Sequence, residues 1–429
     1  MTPDDWRAWA SSLALTAFGL LGVMAGNPLT LLLAWAALDL LELIILLGQV
    51  SDSNARERII IRFAAGVGGI VLLLEAILQA SSTGKNLGFS FIPPQASLLF
   101  MLAAALRLGA PPLHLPFVQE PLLRRGLGTS LRLIPAAASL TLLVRCANVG
   151  VSSSLTPWFL LLAGIGSLYG AWNWATSDDE LAGRPFWVFA TAMLVLSAAV
   201  RGQPAASLAW ALVCLFSGGL IFLNSIHVKN MLPFWILGLI SLSALPFTPA
   251  WNGMQVYNDT HMVSPATGLL VILALITLIT HALLLTGYVR HLSRPQIMPP
   301  GMERWVWLIY PLGLGFLLII FYLVGLWARP AIKEVSWTGW GGGAAALVLA
   351  GVFWQLRTRQ LRLPRSVATV ARKILSPGWF YSFFSALYRS LHTVTDWNTM
   401  ILEGEGGILW SFLLLVLILS LLASQGLGG

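Results

Sequence analysis

The sequence predicts an all-α polytopic membrane protein on three grounds: scarce charge, apolar runs of bilayer length from end to end, and two spans broken by proline at corresponding places. Of 429 residues, 57% are hydrophobic and 10% charged, whereas a globular domain carries about 25% charged residues. So few polar side chains cannot cover a water-facing surface of this size. The 25 Lys and Arg exceed the 17 Asp and Glu. On a membrane protein that excess marks the cytoplasmic side, and nucleic acid is not expected as a partner.

Apolar runs are centred on 8–26, 28–49, 60–80, 94–110, 129–148, 156–177, 185–200, 205–224, 231–250, 265–289, 304–327, 340–357 and 406–424. Each is close to the roughly 20 residues a helix needs to cross a hydrocarbon core, which gives about thirteen helices. Runs of this length exclude the alternating strands of a barrel. The first span is preceded by Asp4 and Asp5 without a small-residue cleavage site, so it is expected to be retained and not removed as a signal peptide.

Orientation follows from the basic residues. With the N-terminus in the cytoplasm, the inner turns hold Arg56, Arg58, Arg124, Arg125, Arg184, Lys229, Arg290, Arg294 and a dense set from Arg357 to Lys373. The outer turns hold Lys85, Arg201, Arg329 and Lys333, with Arg145 near a span end. This asymmetry predicts a multi-pass protein of a bacterial-type inner membrane, N-terminus inside and C-terminus outside.

The fourth and ninth spans are interrupted, over Ala104–Pro116 and Ser243–Trp251. Proline lacks a donor and clashes with the preceding turn, so the freed carbonyls need protein, water or an ion. Gly109, Pro111 and Pro112 make the first break, and Pro246 and Pro249 the second. Two breaks in successive five-span groups are the trace of an inverted-repeat transporter. The expected organisation is a first repeat over 1–150, a second over 151–295, two further spans over 296–360, and a last segment over 361–429. In that last segment Phe380, Phe384, Leu387 and Leu391 recur at helical spacing, as in a helix lying in the interface, ahead of a final transmembrane anchor.

Cofactor chemistry finds no support. Cys146 and Cys214 stand alone in apolar runs, and there is no GxxxxGK[ST] or GxGxxG run. No metal, cofactor or catalytic residue is expected, and redox chemistry would belong to a partner.

Several motifs resemble the antiporter-like membrane subunits of respiratory complex I, membrane-bound hydrogenases, Mrp-type cation/proton antiporters and bicarbonate-uptake complexes. Arg107-Leu-Gly-Ala-Pro-Pro-Leu-His114 resembles the family's Lys-x-Gly-x-x-Pro-x-His at its first broken helix. Ala25–Trp35 is similar to the Asn-Leu-Leu-x-Leu-Phe-x-Gly-Trp-Glu helix, Leu245–Trp251 to the second broken helix, and Tyr288-Val-Arg290 to the close of the following span. Family members usually begin with three further spans, so the resemblance implies a front that is missing or supplied by a separate chain. It also implies a charge-depleted member. Ala36 stands where the family has Glu, Cys214 and Gly218 where it has His and Lys, and Met254 where it has Lys or Glu. At the place of the remaining lysine stands Arg107, whose guanidinium does not give up its proton as a lysine can and serves as an anchor or field source rather than a proton carrier.

Asp39 and Glu42 share a helix face. They are either a displaced carboxylate site partnering Arg107 or polar glue at a helix end or subunit seam, and spacing leaves both open. His114 follows the first break, where it would connect water to the cytoplasmic mouth or cap freed backbone. His281 is a relay candidate or a hydrogen-bonding histidine, and Glu75 a path residue or one that reaches water. Arg132 and Arg145 are expected to divide into a buried ion-pair partner and a snorkelling residue. Asp178, Asp179, Glu180 and Arg184 read as a solvated turn, and Trp35 and Trp251 are expected inside.

The resemblance thus implies a subunit of a complex-I-like energy-converting assembly, packed in lipid beside other integral membrane subunits. It would contribute part of a proton or cation path around Arg107, His114, Asp39, Glu42, His281, Glu75 and Arg132. The alternatives are a non-conducting structural anchor and the membrane partner of an inorganic-carbon uptake complex.

Overall fold

The computed structural model describes residues 5–49, 53–81, 88–89, 92–110, 125–151, 156–224, 231–257, 267–293, 304–327 and 337–358. All of them belong to the first of two compact units, Met1–Leu361 and Arg362–Gly429. The expected interfacial helix and final span therefore lie outside the described residues.

Every apolar run up to residue 357 contains a helix, and no strand occurs among the described residues. The helices are α1 (Asp5–Met24), α2 (Pro28–Gln49), α3 (Ser53–Ser81), α4 (Pro94–Arg107), α5 (Arg125–Cys146), α6 (Thr156–Thr176) and α7 (Glu180–Val200). They continue as α8 (Pro204–Leu212), α9 (Gly218–Leu223), α10 (Leu232–Leu242), α11 (Thr267–Leu292), α12 (Arg304–Trp327) and α13 (Trp337–Thr358). A π-helical turn, Val213–Ser217, joins α8 to α9 in one span. Among the described residues, 9 helices are long and apolar enough to cross a membrane. The chain is a polytopic all-α membrane protein.

Both expected breaks interrupt their helices. α4 stops at Arg107, and Gly109 takes φ +96° in the following turn, a left-handed conformation that suits glycine. α10 stops at Leu242, and the chain runs irregularly through Ser243–Ala250 into a 3-10 helix, Trp251–Tyr257. Here Ala244 and Phe247 hold φ of 54° and 62°. Side chains rarely adopt that region, at about 1–2 kcal/mol per residue, so the bend must be imposed by its surroundings. Pro246 and Pro249 lie inside it, while Pro111 and Pro112 fall outside the described residues.

The order of neighbours recurs along the chain. α1 packs on α2 and α5, α2 on α3, and α4 on both α3 and α5. Likewise α6 packs on α7 and α11, α7 on α8, and α10 on α11. A capping contact repeats with it. Arg145, in the last turn of α5, donates to the carbonyls of Val23 and Ala25 where α1 ends; Arg290, in the last turn of α11, donates to that of Ala175 where α6 ends. Carbonyls at a helix C-terminus lack intrahelical donors and carry the negative end of the dipole, so an arginine from the neighbouring helix satisfies both. Arg145 thus serves as a cap, stacked at 4.6 Å on Phe89.

α7 is the most enclosed helix, buried almost throughout from Trp187 to Val200. α12, by contrast, exposes Ile309, Leu312, Phe316, Ile319 and Leu323, a wide apolar surface suited to lipid.

Candidate functional site

α2 carries Trp35, Asp39 and Glu42 at helical spacing, and all three are buried. The spacing puts them on one face, turned toward α3 and α4. Arg107, the last residue of α4, meets Asp39 there in a two-pronged ion pair: Nη2 donates to Oδ1 at 2.6 Å and Nη1 to Oδ2. Nη1 also reaches the carbonyl of Gly66 at 3.5 Å. The guanidinium lies 4.4 Å from the ring centre of Trp35, within the range of a cation–π contact. The helix break, the carboxylate and the indole therefore all hold one cation.

One turn further along α2, Glu42 receives Arg62 of α3, with Nε at 2.6 Å and Nη2 at 3.2 Å. The two pairs stand side by side because α3 approaches α2 and α4 through glycines. A Cβ on Gly66 would lie 2.7 Å from Asp39 Oδ2, and one on Gly69 would lie 2.6 Å from Arg107 Cγ.

Two clefts adjoin the pairs. The first, about 570 Å³ with its open mouth, is lined by Asp39, Glu42, Arg62, Arg107, Gly109 and Ser139 among others. The second, about 460 Å³ on the same measure, shares Arg62, Arg107 and Gly109 and adds Arg132 of α5 with Pro185, Val188 and Phe189 of α7. Asp39, Glu42, Arg107 and Arg132 are thus brought to one place. His114 lies outside the described residues. Glu75 stands apart, on an exposed face of α3 with Val71, Leu74 and Leu78.

His281 belongs to the second break. Its Nε2 is 3.0 Å from the carbonyl of Leu242, the residue at which α10 stops, and its Nδ1 is 3.0 Å from Tyr257 Oη. A carbonyl can only accept, so Nε2 carries the proton, and in the neutral ring Nδ1 accepts from the tyrosine hydroxyl. The ring is fully buried, edge-on to Trp210 at 5.1 Å. Trp251, like Trp35, is buried as expected.

The expected solvated turn is only partly one. Asp178 is exposed, and Asp179 caps α7 by accepting from the Ala182 N–H at 2.6 Å. Glu180 is buried and accepts from Arg125 Nη2 at 2.6 Å, and Arg184, also buried, donates to Thr129 Oγ1 at 3.0 Å. The start of α5 closes over the start of α7, which sequence spacing could not reveal because the partners are far apart in the chain. Arg62 was also missed as a site residue. The available signal was its place within the third apolar run, beyond the basic turn at Arg56 and Arg58. Among the described residues, no group of His, Cys, Asp and Glu could hold a metal ion.

No protein-family model matches the sequence, and no curated protein matches it by sequence. Solved structures do match by fold. One match is a chain in the structure of the Mrp complex from Dietzia sp. DQ12-45-1b, with a TM-score of 0.66 at 13% identity, covering 95% of this chain and 51% of that chain. Another is a chain of the membrane-bound sulfane sulfur reductase (MBS), an archaeal respiratory membrane complex, with a TM-score of 0.65 at 14% identity, covering 98% of this chain and 85% of that one. The chain spans about half the length of the Mrp-complex chain it matches. The chain shares its fold with these two membrane-complex chains.

Proposed function

We propose that this chain is an antiporter-like subunit of a multi-subunit, energy-converting membrane assembly, and that its first repeat supplies a polar segment of a proton or cation path. The observation that carries this reading is the buried Arg107–Asp39 pair at a broken helix, bordered by a cleft. Ionisable groups within a bundle are costly and characteristically mark ion pathways. The fold held in common with subunits of two membrane complexes supports integral membrane neighbours.

In this reading Arg107 is a fixed cation, since a guanidinium does not release its proton near neutral pH. Asp39 and Glu42 are the groups that exchange protons, each when its arginine swings away and leaves the carboxylate in a poorly solvated place. The recurrent packing supports a division into repeats over 1–150 and 151–295 followed by two spans over 296–360, and the arginine asymmetry supports a cytoplasmic N-terminus. Among the described residues, a carboxylate–arginine pair stands at the first break, whereas the charge at the second is Arg201, which donates to the carbonyl of Val256 at 2.5 Å, so in this reading the path runs through the first repeat.

The test is ion movement by the assembled complex in proteoliposomes. Arg107→Ala abolishes gradient-linked movement with assembly intact; unchanged movement removes this pair from the path. A non-conducting anchor is the second reading, favoured by one observation: the buried carboxylates Asp39, Glu42 and Glu180 are each held by an arginine. Asp39→Asn with Glu42→Gln separates the two. Lost assembly in place of lost ion movement selects the anchor.

A further inference from the structure

Among the described residues, the spans of α1, α3, α12 and α13 are the least enclosed by the rest of the chain, with between 17% and 28% of each apolar stretch buried. On three of them the open face is what lipid requires. Arg7 and Arg357 stand at the outer ends of the α1 and α13 spans, and the α12 span carries no charge. The α3 span differs. Glu75 lies open on its outer face with Val71, Leu74 and Leu78, and no ion pair or hydrogen bond joins it to another described residue. It is six residues short of Ser81, where the span ends, or about 9 Å along the axis at 1.5 Å per residue. Helical Cα–Cβ bonds tilt toward the N-terminus, so the carboxylate leaves the backbone toward the interior of the span and not toward the near surface. Only long side chains carry a charge out to the interface from such a depth. Gly66, which packs against Asp39, is nine residues earlier. That is two and a half turns, so Glu75 is on the face of α3 opposite the ion pairs and lines neither cleft.

We propose that the outer face of α3, built from Val67, Val71, Leu74, Glu75 and Leu78, docks a transmembrane helix of a different subunit, and that this helix brings a lysine or arginine to the depth of Glu75. The inference rests on the multi-subunit part of the proposed function and is independent of the ion path. Charge complementarity selects the occupant. An ionisable group within a span is costly in lipid and characteristically pairs with another polar group, and lipid tails offer no donor. A second copy of this chain does not supply the cation from its described residues. Its exposed basic side chains, Arg7, Arg56 and Arg357, are near the starts of α1 and α3 and in the last turn of α13, whereas the arginines within the spans are buried or partly buried in the bundle. A matched cation also sets partner and register, because a helix without one leaves a carboxylate desolvated in the seam.

The test is carbodiimide labelling of Glu75, read by mass spectrometry on the full chain in nanodiscs and on the complex purified from its native membranes. Apolar dicyclohexylcarbodiimide reaches carboxyls in lipid, and a water-soluble carbodiimide reaches those in contact with water. In the isolated chain the apolar reagent alone is expected to modify Glu75, and in the complex Glu75 is protected. Glu75→Lys sets like charges against each other and lowers retention of the neighbouring subunits about tenfold, equivalent to about 1.4 kcal/mol. Glu75→Gln, which keeps a hydrogen-bonding oxygen, lowers it less. Melting of both isolated variants stays at the wild-type value, because α3 packs on α2 and α4 through its other face. A benzophenone amino acid in place of Val71 captures the docked helix in the complex, and the captured span carries a lysine or arginine within one turn of the crosslink. Labelling by the water-soluble reagent, capture of a second copy of this chain, or capture of a span without a basic residue overturns the proposal. Undiminished apolar labelling in a complex that retains its neighbours overturns the docking face alone, whereas recovery of the chain without any neighbour overturns the assembly reading with it.

Discussion

The two broken helices share a backbone plan and differ in everything that fills it. At the first, the helix end carries Arg107, and α2 answers with Asp39 beneath a tryptophan. At the second, the helix ends at Leu242, whose carbonyl is taken by His281 backed by Tyr257. Trp35 and Trp187 occupy the same distance from the starts of α2 and α7, yet where α2 next offers Asp39, α7 offers Thr191, bonded to its own helix at 2.7 Å. The second break is also clamped from outside. A Cβ on Gly325 of α12 would lie 2.6 Å from Pro249, and one on Gly342 of α13 would lie 2.6 Å from the Tyr257 ring. A break needs its freed backbone satisfied, and two solutions are present: an ion pair beside a cleft, and a closely packed one in which His281 and Arg201 meet the carbonyls of Leu242 and Val256.

The comparison breaks most sharply on the ion pair itself. Removing one member of a buried pair strands the other, at about 3–5 kcal/mol, whereas replacing both with apolar residues of similar volume is often near neutral. Asp39→Leu and Arg107→Met singly should therefore lower the melting temperature strongly in nanodiscs, and the double variant should recover most of the loss. If the double variant is as damaged as either single one, the pair is structural scaffolding and the contrast with the second break narrows. Next come the glycines. Gly66→Ala and Gly69→Ala drive a methyl into Asp39 and Arg107, an overpacking cost of about 1–3 kcal/mol, visible in the same melting experiment. Relief of the Gly69→Ala cost by Arg107→Met, with its flexible unbranched chain, would locate the strain at the pair.

How much of this was legible in the sequence depended on the range of the forces involved. The helices up to Thr358 were legible because apolar length is a local property of the chain, and both breaks because proline and glycine act on their own backbone. Arg107 and the shared face of Asp39 and Glu42 were visible as residues. Their pairing was not, because it depends on α4 docking against α2 through the glycines of α3. Arg62 was hidden for the same reason, as was the burial of Glu180 under Arg125. His281 stood in the sequence as a relay candidate or a hydrogen-bonding residue, and its contact with the Leu242 carbonyl comes from the folded break alone.

At the second break the expected effect is smaller. His281→Phe leaves the Leu242 carbonyl and the Tyr257 hydroxyl unpaired, at about 1–3 kcal/mol. Tyr257→Phe removes one hydrogen bond and should cost about 0.5–1.5 kcal/mol. His281→Gln keeps a donor for the carbonyl and should fall between Tyr257→Phe and His281→Phe in melting temperature. A larger loss of ion movement than of stability in His281→Phe, measured on the same preparation, would place this histidine in a path and erase the distinction between the two breaks.

The smallest effect is expected from Glu75, which shares the face of α3 with exposed Val71, Leu74 and Leu78 and lies apart from both clefts. Glu75→Gln removes its charge while keeping its shape. Exposed substitutions away from a network stay within about 0.5 kcal/mol, so melting of the isolated chain should not change. In the assembled complex the same substitution has a different meaning. A carboxylate on an apolar face within a span becomes buried as soon as a neighbouring helix covers it, and it then needs a partner. Reduced co-purification of the neighbouring subunits by Glu75→Gln, with ion movement per assembled complex unchanged, would assign this face to subunit contact. An unchanged yield of complex would leave Glu75 in contact with water at the end of its span, apart from the carboxylate–arginine pairs that join α2 to α3 and α4.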